Sequence, residues 1–228
     1  MDSLSLLNGL RFIDSLFPTG GFAYSSGLEA AVQAGLVGTA GNLAQYVEDS
    51  LRFGLGPREG VAAARAHRAA GLGQLAPALD TDRELDAIKL VKEARLASRQ
   101  MGRQVMKIAG TQADAAPLLL RYREAIEEGR TPGHFPVSLG LTLGTMGWSR
   151  SDTVAAFLYH SVAGYLSAAL KLLPIGQQEG QRLIEQWLPL LSRLSETIDP
   201  AAQLVSWTPV HDLYAMKHRR LASRLFRS

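Results

Sequence analysis

The sequence predicts an all-α fold, a single-domain multi-helix bundle, on three observations. Leucine and alanine together number 67, against 28 for valine, isoleucine and threonine combined, so local propensity favours helix over strand along nearly the whole chain. Apolar and small residues recur at helical spacing in one segment after another, and glycine and proline fall between the segments. With 228 residues and 46% hydrophobic content, the chain can bury one full core, so one domain is expected over 1–228.

The elements follow in order. A turn at Leu16-Phe17-Pro18-Thr19-Gly20-Gly21 is too particular for an ordinary helix connection: proline fixes φ, two glycines admit conformations closed to other residues, and Phe22 and Tyr24 open a new helix. Thr39 and Asn42 begin a helix through Leu43, Tyr46, Val47, Ser50 and Leu51 that runs to a break at Gly54-Leu-Gly-Pro57. A helix over Arg58 to Ala70 precedes a loop from Gly71 to Asp80. Thr81 and Glu84 then suit a capping box for one long helix with an apolar line at Leu85, Ile88, Val91, Ala94, Met101, Val105 and Ile108. Its polar faces, including Arg83, Lys89, Lys92, Arg95 and Arg99, read as solvated. A helix from about Ala113 to Glu128 ends at Gly129, and Arg130 to Pro136 forms a rigid connector. Gly140, Gly144 and Gly147 leave one helix face nearly bare, so a neighbouring helix can approach closely. Ser151 or Asp152 caps an apolar helix to Leu173, Pro174-Ile175-Gly176 stops it, and the next helix begins near Gln177, with Pro189 and Pro200 as punctuation.

Several chemistries are disfavoured. Cysteine is absent, which removes disulfides, thiolate metal sites and thiol nucleophiles and is compatible with the cytoplasm. Asn8, Arg11 and Asp14 interrupt the early apolar residues, so no secretory leader is expected. Val154 to Leu173 approaches the length of a membrane span but carries His160, Ser161, Ser167 and Lys171, which suits a buried bundle helix. His67, His134, His160, His211 and His218 form no local ligand pair, so no stable metal site is expected, and surface or hydrogen-bonded core roles fit them better. Neither phosphate-binding glycine motif occurs. Ser25 and Ser26 stand in no nucleophile elbow, and Glu29, Asp152 and Glu179 read as solvated or capping carboxylates. No catalytic residue and no bound cofactor is expected.

The net charge of +3 is concentrated at the end of the chain, where Lys217, Arg219, Arg220, Arg224 and Arg227 stand without an acid. Leu221, Leu225 and Phe226 are interleaved with them, a mixture that favours a protein contact over phosphate. A solvated tail and a basic, helical nucleic-acid-binding regulator are the alternatives; the regulator predicts steeply salt-dependent binding to duplex DNA.

Four ordered motifs resemble the UreF family of urease accessory proteins. They are Pro18-Thr-Gly-Gly-Phe-Ala-Tyr-Ser-Ser-Gly-Leu-Glu29; Gly133-His-Phe-Pro-Val137 with Gly140; Ala169-Leu-Lys-Leu-Leu-Pro-Ile-Gly-Gln177 with Gly180; and Asp212 to His218 continuing through Arg224-Leu-Phe-Arg-Ser228. Two positions depart from the family pattern: Thr19 replaces the common isoleucine or leucine, and Arg219 replaces an acid. The resemblance implies a dimeric, all-helical, non-enzymatic chaperone of the cytoplasm that joins UreD, also called UreH, and recruits the GTPase UreG, so that nickel reaches apo-urease. Nickel and GTP would then belong to the partners. It implies UreD docking by Met216, His218, Arg224, Phe226 and Arg227, and a GTPase-facing or fidelity role for Lys171, against simple snorkelling at a helix end. Gly20, Gly21, Tyr24 and Ser25 are candidates for an inter-subunit or partner surface, against a purely structural turn.

Overall fold

Helix α1 (Ser3–Leu10) begins where the Asp2 carboxylate accepts the Ser5 N–H at 2.8 Å, and it is seated by Gly9, whose bare backbone lies against the Trp148 indole. The computed structural model describes residues 2–111 and 115–227; among them are eleven α-helices and no strand. The all-α expectation holds. A 3₁₀ turn at Gly21–Ala23 leads to α2 (Leu28–Gln33), so the new helix opens four residues beyond Tyr24, after Gly27 at φ +84°.

Helix α3 (Ala40–Ser50) starts at the expected cap, with the Asn42 N–H donated to Thr39 Oγ1 at 3.2 Å. It does not stop at the glycine–proline sequence. Wider π-helical turns at Leu51–Gly60 carry it into α4 (Val61–Gly71). Pro57 has no N–H to donate within these turns. Beside it, Trp207 N–H donates to the Phe53 carbonyl at 2.8 Å and Val205 N–H to the Pro57 carbonyl at 3.2 Å. A segment about 150 residues further on in the chain thus hydrogen-bonds to the helix on both sides of the break.

The stretch read as a loop and one long helix is instead two helices, α5 (Leu75–Ile88) and α6 (Lys92–Ala109). Pro77 is tolerated because it lies in the first turn of α5, where N–H groups lack helical partners anyway. Thr81, expected as a cap, is internal and donates to the Pro77 carbonyl at 2.8 Å. The break at Lys89 to Val91 arises because Lys89, expected on a solvated face, turns inward: it is 6% exposed and its Nζ lies 2.5 Å from Glu59 Oε1. Arg95 Nη1 donates to the Lys89 carbonyl at 2.8 Å, satisfying an acceptor freed by the break.

Helix α7 (Pro117–Glu127) follows; the expected start near Ala113 lies outside the described residues. The rigid connector then folds around Asp82, which accepts from Thr131 Oγ1 at 2.6 Å, Gly133 N at 2.6 Å and His134 N at 2.8 Å. Helix α8 (Phe135–Thr145) packs on α4 as the glycine spacing predicted. A methyl group at Gly140 would lie 2.5 Å from the Ala63 carbonyl, and one at Gly144 would lie 2.8 Å from Ala70 Cβ. Gly147 does not share that face; it turns the chain at φ +78°.

Helix α9 (Arg150–Leu172) is capped by Ser149 rather than Ser151 or Asp152: Ser149 Oγ accepts the Asp152 N–H at 3.0 Å and donates to the Asp152 carboxylate at 2.6 Å. It is long and apolar enough to span a membrane by composition, yet Val154, Leu158, Val162 and Ala169 are fully buried against other helices. Helix α10 (Gln177–Thr197) packs on it and continues through Pro189, on the exposed side of the helix, where Pro189 and Glu185, whose carbonyl the proline cannot serve, both face solvent. Helix α11 (Pro209–His218) closes the fold against α2, where a methyl at Gly27 would lie 2.9 Å from Ala215 Cβ. One apolar cluster runs through these contacts from Phe12 to Phe226.

Candidate partner-binding site

Glu29 joins the two ends of the chain. It is 1% exposed and sits in the first turn of α2, where its carboxylate accepts from His218 Nε2 at 2.7 Å, Leu225 N at 2.7 Å and Phe226 N at 3.2 Å. The sequence reading had made it a solvated or capping acid; the structure corrects this. Three donors aimed at one buried carboxylate offset its loss of water. Two further bonds tie down the tail, from Arg227 N to the Ala23 carbonyl at 2.8 Å and from Gln33 Nε2 to the Ser223 carbonyl at 3.2 Å.

The sequence-identified residues divide around this joint. Ser25 is buried, and its Oγ accepts the Glu29 N–H at 3.4 Å. Phe226 is buried, and Lys171 Nζ stands 5.4 Å from the centre of its ring, so the fourth motif meets the third. His218 is fully buried. Gly20, at φ +76°, and Gly21 lie instead on α6, with a methyl at Gly21 falling 3.2 Å from Met101 Cε. Tyr24 donates its hydroxyl to Gln100 Oε1 at 2.8 Å on the same helix. Met216 and Arg224 point outward, as does the Arg227 side chain. The turn, Lys171 and the tail therefore form one corner, with buried members that shape it and exposed members that face solvent.

Sequence reasoning missed a second charged group. Arg58, Glu59 and Lys89 line a cavity of about 460 Å³ that extends to Gly21 and Tyr24 of the turn. Arg58 Nε lies 3.0 Å from Glu59 Oε2, opposite Lys89. Burial by itself would raise the Glu59 pKa, but Arg58 and Lys89 outweigh it and hold the carboxyl at about 2. Burial pushes Lys89 down, against the pull of Glu59. The only sequence signal was the adjacent Arg58-Glu59 pair beside three glycines, and nothing local marked Lys89 as its partner.

The histidines take hydrogen-bonded positions. His67 Nε2 lies 2.8 Å from the Trp148 carbonyl, His160 Nδ1 3.2 Å from that of Ile13, and His211 Nε2 2.8 Å from that of Tyr46. His134 bridges Ser98 Oγ at 3.0 Å and Asp86 Oδ1 at 2.9 Å. Among the described residues, no three histidine, aspartate or glutamate side chains come together as a metal site.

The likeness to known proteins covers this whole architecture. The UreF family model matches residues 37–188. Over its full length the chain is 34% identical to the urease accessory protein UreF of Methylorubrum populi, covering 100% of both chains. It is 32% identical to that of Haemophilus influenzae, over 96% of this chain and 94% of the relative, and 30% identical to that of Actinobacillus pleuropneumoniae, over 96% and 97%. The likeness thus takes in both the turn and the tail that Glu29 joins, and the chain belongs to the UreF family.

Proposed function

We propose that this chain is a cytoplasmic accessory chaperone of urease maturation, without catalysis of its own. It works as a homodimer that joins UreD (UreH) to the GTPase UreG, so that nickel carried by the GTPase is delivered to apo-urease. The observation that carries this reading is the identity of 30–34% to urease accessory proteins over 96–100% of the chain. The corner built from the turn, Lys171 and the tail supports a place for the contact. Met216, Arg224 and the Arg227 side chain supply its exposed groups, while His218 and Phe226 fix their positions from inside. Lys171 holds its charge beside Phe226, where it can reach a partner acid. Gly20, Gly21, Tyr24 and Ser25 set the shape of the adjoining surface. For coupling to nucleotide hydrolysis, the chain must bind the GTPase's nucleotide states unequally, since equal affinity shifts no equilibrium.

The test is co-purification with UreD and UreG from the same source, followed by nickel-dependent activation of apo-urease. Complex formation with raised activation is expected, and neither occurring would overturn the reading. Removing Arg219 to Ser228 would also strip two backbone donors from Glu29, so point variants at the exposed Arg224 and Arg227 side chains separate docking from folding. Arg224→Ala with Arg227→Ala should weaken UreD capture while leaving the helical signal unchanged.

A further inference from the structure

The break between α5 and α6 has an outward consequence. With Lys89 drawn in to Glu59, Leu90 is turned out and is 66% exposed. It faces a groove of about 410 Å³ whose other wall is the end of α11, with Leu213 50% and Met216 46% exposed. Lys92, Lys217, Arg219 and Arg220 rim the groove, against Glu93 as the single acid among the described residues that line it, which leaves these with a formal charge of +3 (four cations less one acid). None of the four cations forms an ion pair with a described acid; Lys217 stands over the Tyr214 ring at 5.0 Å.

We propose that this groove docks an acidic amphipathic segment of a partner protein, with apolar side chains on Leu90, Leu213 and Met216 and aspartates or glutamates against the rim. Three exposed large apolar side chains in one concavity offer burial, and unpaired cations around them select acids and steer encounter. A second copy of the same groove would oppose like charges. A nucleic acid would engage the rim but leave the apolar floor wet. The proposal rests on the functional reading above, in that the partner belongs to the urease-maturation assembly, and it adds Leu90 and the start of α6 to the contact.

The test uses the full chain co-expressed with UreD, UreG and apo-urease, and compares three variants with the wild type. Leu90→Ser with Leu213→Ser removes the floor, Lys217→Glu with Arg220→Glu reverses the rim, and Leu72→Ser changes another exposed leucine as a control. Both groove variants should keep the circular dichroism of the wild type and lose capture of one partner by about tenfold or more, with the control unaffected. A photo-crosslinker at Leu213 should mark a peptide of that partner rich in aspartate or glutamate. Wild-type capture with undiminished binding by both groove variants overturns the groove while leaving the proposed function standing. Crosslinking to a second copy also overturns it. Failure of the wild-type chain to form any complex overturns the proposed function, and the groove with it.

Discussion

At the scale of single residues, a buried carboxylate with three donors stands where the ends of the sequence meet. Replacing Glu29 by alanine would leave His218 and the amides of Leu225 and Phe226 facing a buried space without their acceptor. The expected loss is about 3 kcal/mol, read as a lower urea midpoint, together with faster trypsin cleavage after Arg219, Arg220 and Arg224. Unchanged cleavage would mean that the tail is held by other contacts. A second prediction concerns His134, His160 and His211, whose pKa values burial pushes below the ordinary histidine value. The unfolded chain takes up these protons near pH 6.5 while the folded chain does not, so the unfolded state binds more protons below that pH. Stability is therefore full above about pH 6.5 and falls as the pH drops through it. The urea midpoint at pH 5.5 should lie below that at pH 7.5, with a smaller difference in His160→Gln. An equal midpoint at both values would show that these histidines are not held neutral.

At the scale of elements, the legible parts were those whose cause is local. The α3 cap at Thr39, the approach of α8 through Gly140 and Gly144, and the stop at Pro174 to Gly176 all follow from propensity, capping and side-chain volume. The misread parts have distant causes. The π-helical turns around Pro57 are met by donors from Val205 and Trp207, and α5 separates from α6 because Glu59 draws Lys89 inward. Of the site, the four motifs were visible, but the acceptor that unites turn and tail was not, because Glu29 and His218 are 189 residues apart. Two glycines test the local argument. Gly140→Ala must force the α4 backbone away and should cost about 1–3 kcal/mol. Gly164→Ala, inside α9 with nothing within 4 Å of the added methyl, should gain up to about 1 kcal/mol from helix propensity. Thermal unfolding of the pair decides: similar shifts for both would mean that the α4–α8 contact relaxes freely.

At the scale of the whole molecule, α1 leaves a leucine face uncovered. Gly9 seats α1 on Trp148, while Leu4 and Leu7 are turned to solvent, 70% and 63% exposed. Their spacing of three puts them on one side of the helix, the arrangement that a partner helix covers in an apolar interface. The homodimer of the proposed function has its simplest seat there, because α1 against a second α1 buries leucine on leucine with no basic side chain within the helix. Leu4→Glu with Leu7→Glu would set four carboxylates across that contact in the dimer, two from each chain, while touching no buried residue. Sedimentation velocity should show the wild type as a dimer and the variant as a monomer of unchanged helical content, since a few central apolar side chains carry most of an interface's energy. A variant that sediments as the wild-type dimer does would move the dimer contact away from α1.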